Sequence, residues 1–239
     1  MKKGSLVLVV MALGVWGSAL RPIEARAVDY NGRWGIQLQG GVAALTQDVA
    51  TDLTAGKDPV ISARLFYGVG DSALSAPLNG LADFFFLSAT ERAYPLLLGV
   101  NLEWEEHRIK DKVTGLSYGK IHTLSLIPYA ELHATGYESF SPYVLLGLGL
   151  HFNGFNESTE LTAQCTSSGV TCSISPKKTV AVEFGGGADY FMSPRLALNM
   201  EINWKYNSHG VDTENINRAD LQRFKTSHAS FLLGLRYIF

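Results

Sequence analysis

The stretch Thr226 to Phe239 reads TSHASFLLGLRYIF. Residues two apart in a strand share a face. Ala229, Phe231, Leu233, Leu235, Tyr237 and Phe239 therefore make one wholly apolar face, while His228, Ser230, Gly234 and Arg236 fall on the other. An apolar face that runs to the last residue leaves no later element to pack on it. Lipid is a partner that satisfies this pattern, and it predicts the closing strand of a membrane β-barrel.

The same alternation recurs upstream in seven further segments, each near the ~9–11 residues that a tilted membrane strand needs. They are predicted at Arg33–Leu45, Val60–Gly68, Pro95–Arg108, Lys120–His133, Pro142–Asn153, Thr179–Met192 and Arg195–Tyr206. In Arg195–Tyr206, for example, Leu196, Leu198, Met200, Ile202 and Trp204 oppose Asn199, Glu201, Asn203 and Lys205. The apolar faces are read as free of Asp, Glu, Lys and Arg. A soluble sandwich also alternates, but only a bilayer enforces such exclusion, because a charge on the lipid face costs about 2–4 kcal/mol at the midplane. The predicted fold is all-β: an eight-stranded antiparallel up-and-down transmembrane barrel.

Connection lengths support that topology. The stretches 46–59, 109–119, 154–178 and 207–225 are long and polar, whereas 134–141 and 193–194 are short. Short turns belong to the periplasmic side and long loops to the exterior. Trp34, Tyr67, Tyr94, Tyr190, Tyr237 and Phe239 then gather at the periplasmic rim, with Trp104, Phe152, Trp204 and Tyr206 at the outer rim. Residues 69–94 are too long for a periplasmic turn; they are read as an interfacial or plugging helix carrying Leu78, Leu81, Phe84, Phe85 and Leu87.

The amino terminus reads as an export signal. Lys2 and Lys3 precede an uncharged stretch from Gly4 to Leu20, and Ala25-Arg26-Ala27 offers a cleavage site. The expected division is a signal peptide at 1–27 and a barrel domain at 28–239. Cleavage removes Lys2, Lys3, Arg21, Arg26 and Glu24 from a chain of 20 basic and 22 acidic residues, leaving 16 and 21, a net charge of −5. No basic stripe exists to meet phosphates, which excludes nucleic acid as a partner.

The run Ile121 to Phe155, IHTLSLIPYAELHATGYESFSPYVLLGLGLHFNGF, resembles the OmpW-like group of small outer-membrane barrels. The resemblance rests on Leu126-Ile127-Pro128 and the glycine-rich strand opened by Pro142-Tyr143-Val144. Gly185 to Tyr190 and the ending Leu235-Arg236-Tyr237-Ile238-Phe239 extend it. These marks are shared with OmpX-like and OmpA-like barrels. The resemblance implies location in the bacterial outer membrane, contact with its lipid and lipopolysaccharide, and recognition of Leu235, Tyr237 and Phe239 by the barrel assembly machinery. It also implies passage of small hydrophobic molecules through an apolar lumen.

The inward column departs from that last implication. It contains Arg64, Glu103, Glu105, Glu131, His133, His151, Glu183, Asp189, Glu201, Lys205, His228 and Arg236. An eight-stranded barrel is just wide enough for side chains to fill, and buried charges must be paired. A closed barrel with an ionic core is expected, acting in membrane integrity, adhesion or loop-mediated recognition. A channel for small molecules is the alternative. An outer-membrane lipid A deacylase is the second: such enzymes use a His-x-Ser pair near the start of the last long loop, where this chain has Ser208-His209, adjacent and reversed. No catalytic residue, cofactor or metal is expected, since the histidines lack paired ligand spacing. Cys165 and Cys172 are expected to form a disulfide within the third long loop.

Overall fold

The computed structural model describes residues 29–46, 53–55, 57–69, 95–111, 113–134, 139–169, 173–214, 223–225 and 227–239. The expected signal peptide, Tyr94, Cys172 and nearly all of the 69–94 segment lie outside the described residues. The described strands, in chain order, are β1 (Trp34–Leu45), β2 (Leu53–Ala55), β3 (Lys57–Gly68), β4 (Leu96–Asp111), β5 (Ser117–His133) and β6 (Phe140–Glu157). They continue as β7 (Ser173–Pro176), β8 (Thr179–Ser193), β9 (Leu196–Tyr206), β10 (Ser208–Glu214), β11 (Arg223–Lys225) and β12 (His228–Ile238), with one helix, α1 (Thr159–Ser167).

Eight of these strands close into a barrel in the order β1–β3–β4–β5–β6–β8–β9–β12, every neighbour antiparallel. The seam is made by the chain's two ends. β12 pairs with β1 from Gly35 opposite Ile238 to Leu45 opposite His228. Closure gives every spanning strand two neighbours for its backbone N–H and C=O groups, which lipid cannot satisfy.

Period-two alternation sorts the side chains. On β12, Phe231, Leu233, Leu235 and Tyr237 are exposed, while His228, Ser230, Leu232 and Arg236 are buried. From Ala229 to Phe239 there are ten residue steps; at ~3.3 Å each and a ~40° tilt they rise about 25 Å, the height of a membrane barrel's apolar band. Paired aromatics border the band. Trp34 stacks with Tyr67 at 5.0 Å and Tyr237 with Phe239 at 5.3 Å at the periplasmic end; Trp204 lies 6.1 Å from Tyr206 at the outer end. Among the described residues no helix is long and apolar enough to cross a membrane; the crossing is by strands.

Three details differ from the sequence reading. Several strands are longer than expected, because pairing outlasts the apolar face: β4 continues to Asp111 and β5 begins at Ser117. The expected long loop 109–119 is therefore mostly hairpin. Consequently the outward side of β4 carries Glu106 and Arg108 beyond Trp104, and Glu106 pairs with Lys120 of β5 at 2.7 Å. Freedom from charge holds up to the outer aromatics and ends where the strands leave the band. Leu96 and Leu132, whose parity with Leu98 and Ala130 predicts the lipid face, are buried side by side at the periplasmic end, where the register pairs them.

Beyond the outer rim, β10 pairs with β7 and with β11, and α1 stands over β5. Its N-cap Ser158 accepts from Leu161 N, and Glu160 accepts from Ser117 N at 3.0 Å. Leu148, at the middle of β6's outward face, is 65% exposed. Replacing it with arginine is predicted to cost about 2–4 kcal/mol in reversible folding into lipid vesicles. The same replacement at Val113, in the hairpin turn beyond the outer rim, is predicted to be neutral.

Candidate functional site

Polar side chains from all eight barrel strands fill much of the lumen, with an apolar cluster that includes Phe66, Leu97, Phe191 and Ile238 toward its periplasmic end. All twelve residues predicted for the inward column lie in the lumen, at most 2% exposed. They assemble in layers, each set by the height at which its strand position meets the others.

The periplasmic layer is organised by Arg236. Its Nη1 lies 2.6 Å from Glu131 and 3.1 Å from Asp189, and its Nε donates to Gln37 at 2.8 Å. The guanidinium stacks on Phe66 at 5.0 Å and on Tyr143 at 5.2 Å. Tyr30, just before β1, donates to Asp189 and stacks on His133 at 4.8 Å. His133 contacts Glu131 through Nε2 and Ser141 through Nδ1. Asn199 donates to both Asp189 and Tyr143.

The central layer is organised by Arg64. It makes a two-pronged pair with Glu201 through Nη1 and Nη2, and its Nη2 also reaches Glu183 at 2.9 Å. A fork of this kind matches the two carboxylate oxygens and adds directional strength. Asn101 and Asn203 donate to Glu183, and Tyr143 donates to Glu201 at 2.8 Å, linking this layer to the one below. Tyr129 lies under the guanidinium at 5.1 Å. Two inward glycines make room for the stacked rings: a Cβ on Gly99 would fall 2.8 Å from Tyr129, and one on Gly187 would fall 2.6 Å from Tyr143.

Above it, Lys205 binds Glu103 and stands 3.5 Å from Glu183. The outermost layer holds Glu105, His107, His151 and His228. Glu105 Oε2 is 2.8 Å from His228 Nε2 and 3.6 Å from His107 Nε2, and His107 Nδ1 is 3.6 Å from Asp58. His151 is engaged on both ring nitrogens, by Ser125 and by the carbonyl of Tyr206. A polar girdle of Thr123, Asn153, Thr179 and Asn207 follows toward the mouth.

Sequence reasoning missed Tyr30 and His107. His107 shares the odd-numbered parity of Glu103 and Glu105, so parity carried the signal; it was passed over because the apolar face ends at Trp104. Tyr30 precedes the first strand and had no periodicity to place it. Of the other candidates, Ser208 and His209 are the first two residues of β10. Cys165 is buried on α1, and its expected partner lies outside the described residues. Leu235, Tyr237 and Phe239 lie exposed along the periplasmic half of the band.

Neither a protein-family model nor a curated protein matches this sequence. Its structure is similar to that of the outer membrane protein OprG from Pseudomonas aeruginosa, with a TM-score of 0.58 at 13% identity, covering 87% of this chain and 97% of that one. It also aligns with AlkL in lipid bilayers (TM-score 0.48, 17% identity, 92% and 96% coverage) and with Neisserial surface protein A (0.46, 12%, 86% and 97%). The likeness to OprG shows the fold, that of a small bacterial outer-membrane barrel. The protein is an eight-stranded transmembrane barrel of the outer-membrane type.

Truncating one partner of a buried pair leaves the others uncompensated, at about 3–5 kcal/mol. Arg236→Ala, which strands Glu131 and Asp189, is predicted to lower unfolding free energy in vesicles by that amount. Arg195→Ala, in the exposed β8–β9 turn, is predicted to change it by less than about 0.5 kcal/mol.

Proposed function

We propose that this protein is a closed, ion-paired outer-membrane barrel that works through its outer surface, in membrane integrity, adhesion or loop-mediated recognition. The observation that carries the reading is the continuous set of buried charges across the lumen. Arg236, Arg64 and Lys205 sit at successive heights, each bound to carboxylates from several strands. A pore of any use to solutes needs a continuous water-filled path, and side chains crossing from several walls occupy that path at three levels. An apolar conduit is opposed as well, because a hydrophobic solute would have to displace ion pairs that cannot be left unpaired.

The outer surface supplies the alternative place of action. β7, α1, β10 and β11 stand beyond the band on the sector formed by β5, β6, β8 and β9. A disulfide between Cys165 and Cys172 would stiffen this loop in an oxidising compartment. Export by residues 1–27 and delivery through the terminal Leu235, Tyr237 and Phe239 complete the proposal. No catalytic residue is assigned, since Ser208 and His209 are adjacent and in the reverse order of the deacylase pair.

Purified protein in planar bilayers is predicted to give no single-channel conductance. Cells expressing it are predicted to keep the lipid A mass spectrum of cells without it. Steady, protein-dependent current steps would establish a channel in place of this reading. Loss of an acyl chain that depends on Ser208 or His209 would establish the deacylase.

A further inference from the structure

The outermost layer contains a carboxylate, Glu105, that makes no direct ion pair with a lysine or arginine among the described residues. Arg236 is committed to Glu131 and Asp189, Arg64 to Glu201 and Glu183, and Lys205 to Glu103 and Glu183. Among the described residues, Glu105 forms ion pairs with imidazoles alone. Its Oε2 is paired with His228 but its Oε1 has no hydrogen-bond partner, and the ring nitrogens of His107 reach carboxylates only at 3.6 Å, although both side chains are completely buried. Buried polar groups normally find partners, and groups left over call for an unseen one.

The geometry names the partner. Glu105, His107 and His228 each offer one donor atom, and the three donors lie within 4.8 Å of one another. Donors bound to one cation at ~2.0–2.2 Å stand roughly 3–3.6 Å apart. Glu105 Oε2 stands close to that spacing from both rings, at 2.8 Å from His228 and 3.6 Å from His107. Two imidazoles and a carboxylate suit zinc and its first-row neighbours rather than calcium or magnesium, which prefer oxygen.

A further carboxylate completes the pattern. His107 turns Nε2 toward Glu105 and Nδ1 toward Asp58 Oδ2 at 3.6 Å, and Asp58 is itself held by the amide of Arg108 at 3.2 Å. Histidines that ligate metals commonly give their other ring N–H to a carboxylate, which fixes the tautomer and orients the ring.

We propose that Glu105, His107 and His228 bind one divalent transition-metal cation of the zinc class, with Asp58 orienting His107. The ligands come from β4 and β12, which are separated around the wall by β3 and β1, so the ion ties the two across the lumen near its outer mouth. Three protein donors leave one position of a tetrahedral ion for water. This site is independent of whether the barrel conducts.

The test uses tag-free mature protein refolded into detergent micelles with zinc chloride and then desalted, with folding verified by heat-modifiable gel mobility. Wild type is expected to retain one zinc per chain by elemental analysis. The double variant H107Q/H228Q is expected to retain none, while H122Q, altered on the outward side of β5, keeps one. D58N is expected to weaken affinity by about 10–100-fold. Cobalt supplies a readout that needs no variant: wild type is expected to show the intense visible bands of a four- or five-coordinate ion. Absence of stoichiometric zinc in wild type, retention by the folded double variant, or a weak six-coordinate cobalt spectrum would each overturn the proposal.

Discussion

Lipid offers no hydrogen bonds, so the backbone of every spanning residue must find its partners within the protein. Here that demand is met by joining β12 to β1 over eleven register pairs, and much else follows from the closure. A ring of eight strands has an interior of side-chain dimensions. Once the ring shuts, each residue faces either hydrocarbon or the crowded lumen. The apolar face of β12 and the charged face that carries His228 and Arg236 are two consequences of a single alternation.

Confinement then governs the lumen. Among the described residues its three permanent cations, Arg236, Arg64 and Lys205, stand at different heights, and the carboxylates gather around them, with Asn101, Asn199, Asn203, Tyr129 and Tyr143 satisfying or shielding what the ion pairs leave over. The result is a set of cross-braces between strands that are not neighbours in the sheet. Arg64 on β3 reaches Glu201 on β9, and Lys205 on β9 reaches Glu103 on β4. A structure braced in this way differs in kind from an apolar conduit, although the two share strand number, topology and outer surface. Glu105 is the exception to the cation pairing, and that is why the outer end of the lumen stands out chemically.

The fold was legible because period two is a local signal: Leu233, Leu235 and Tyr237 declare their face without knowledge of the partner strand. The same locality limited the reading of the lumen. Parity tells which way a residue points but not its height or its bearing around the barrel. That Arg236 points inward was visible, but that it meets Glu131 and Asp189 depends on the register of four other strands, β9, β8, β6 and β5. Strand ends were misjudged for a related reason, since pairing in β4 and β5 outruns the apolar face, and this hid His107. The histidines looked scattered because Glu105 and His228 lie far apart in sequence and meet only across the closed ring.

The central claim is that the lumen's charges bind one another and exclude mobile water. The most direct measurement is solid-state NMR of the isotope-labelled protein in lipid bilayers, reading dipolar contacts between the side-chain nitrogens of Arg236, Arg64 and Lys205 and the carboxyl carbons of Glu131, Glu201 and Glu103, together with water-to-side-chain magnetisation transfer. The account predicts all three contacts, at nitrogen–carbon separations of about 3–4 Å for hydrogen-bonded pairs, and transfer from water far slower than at exposed lysines. Missing contacts, with transfer as fast as at the surface, would contradict it and describe a hydrated, open lumen.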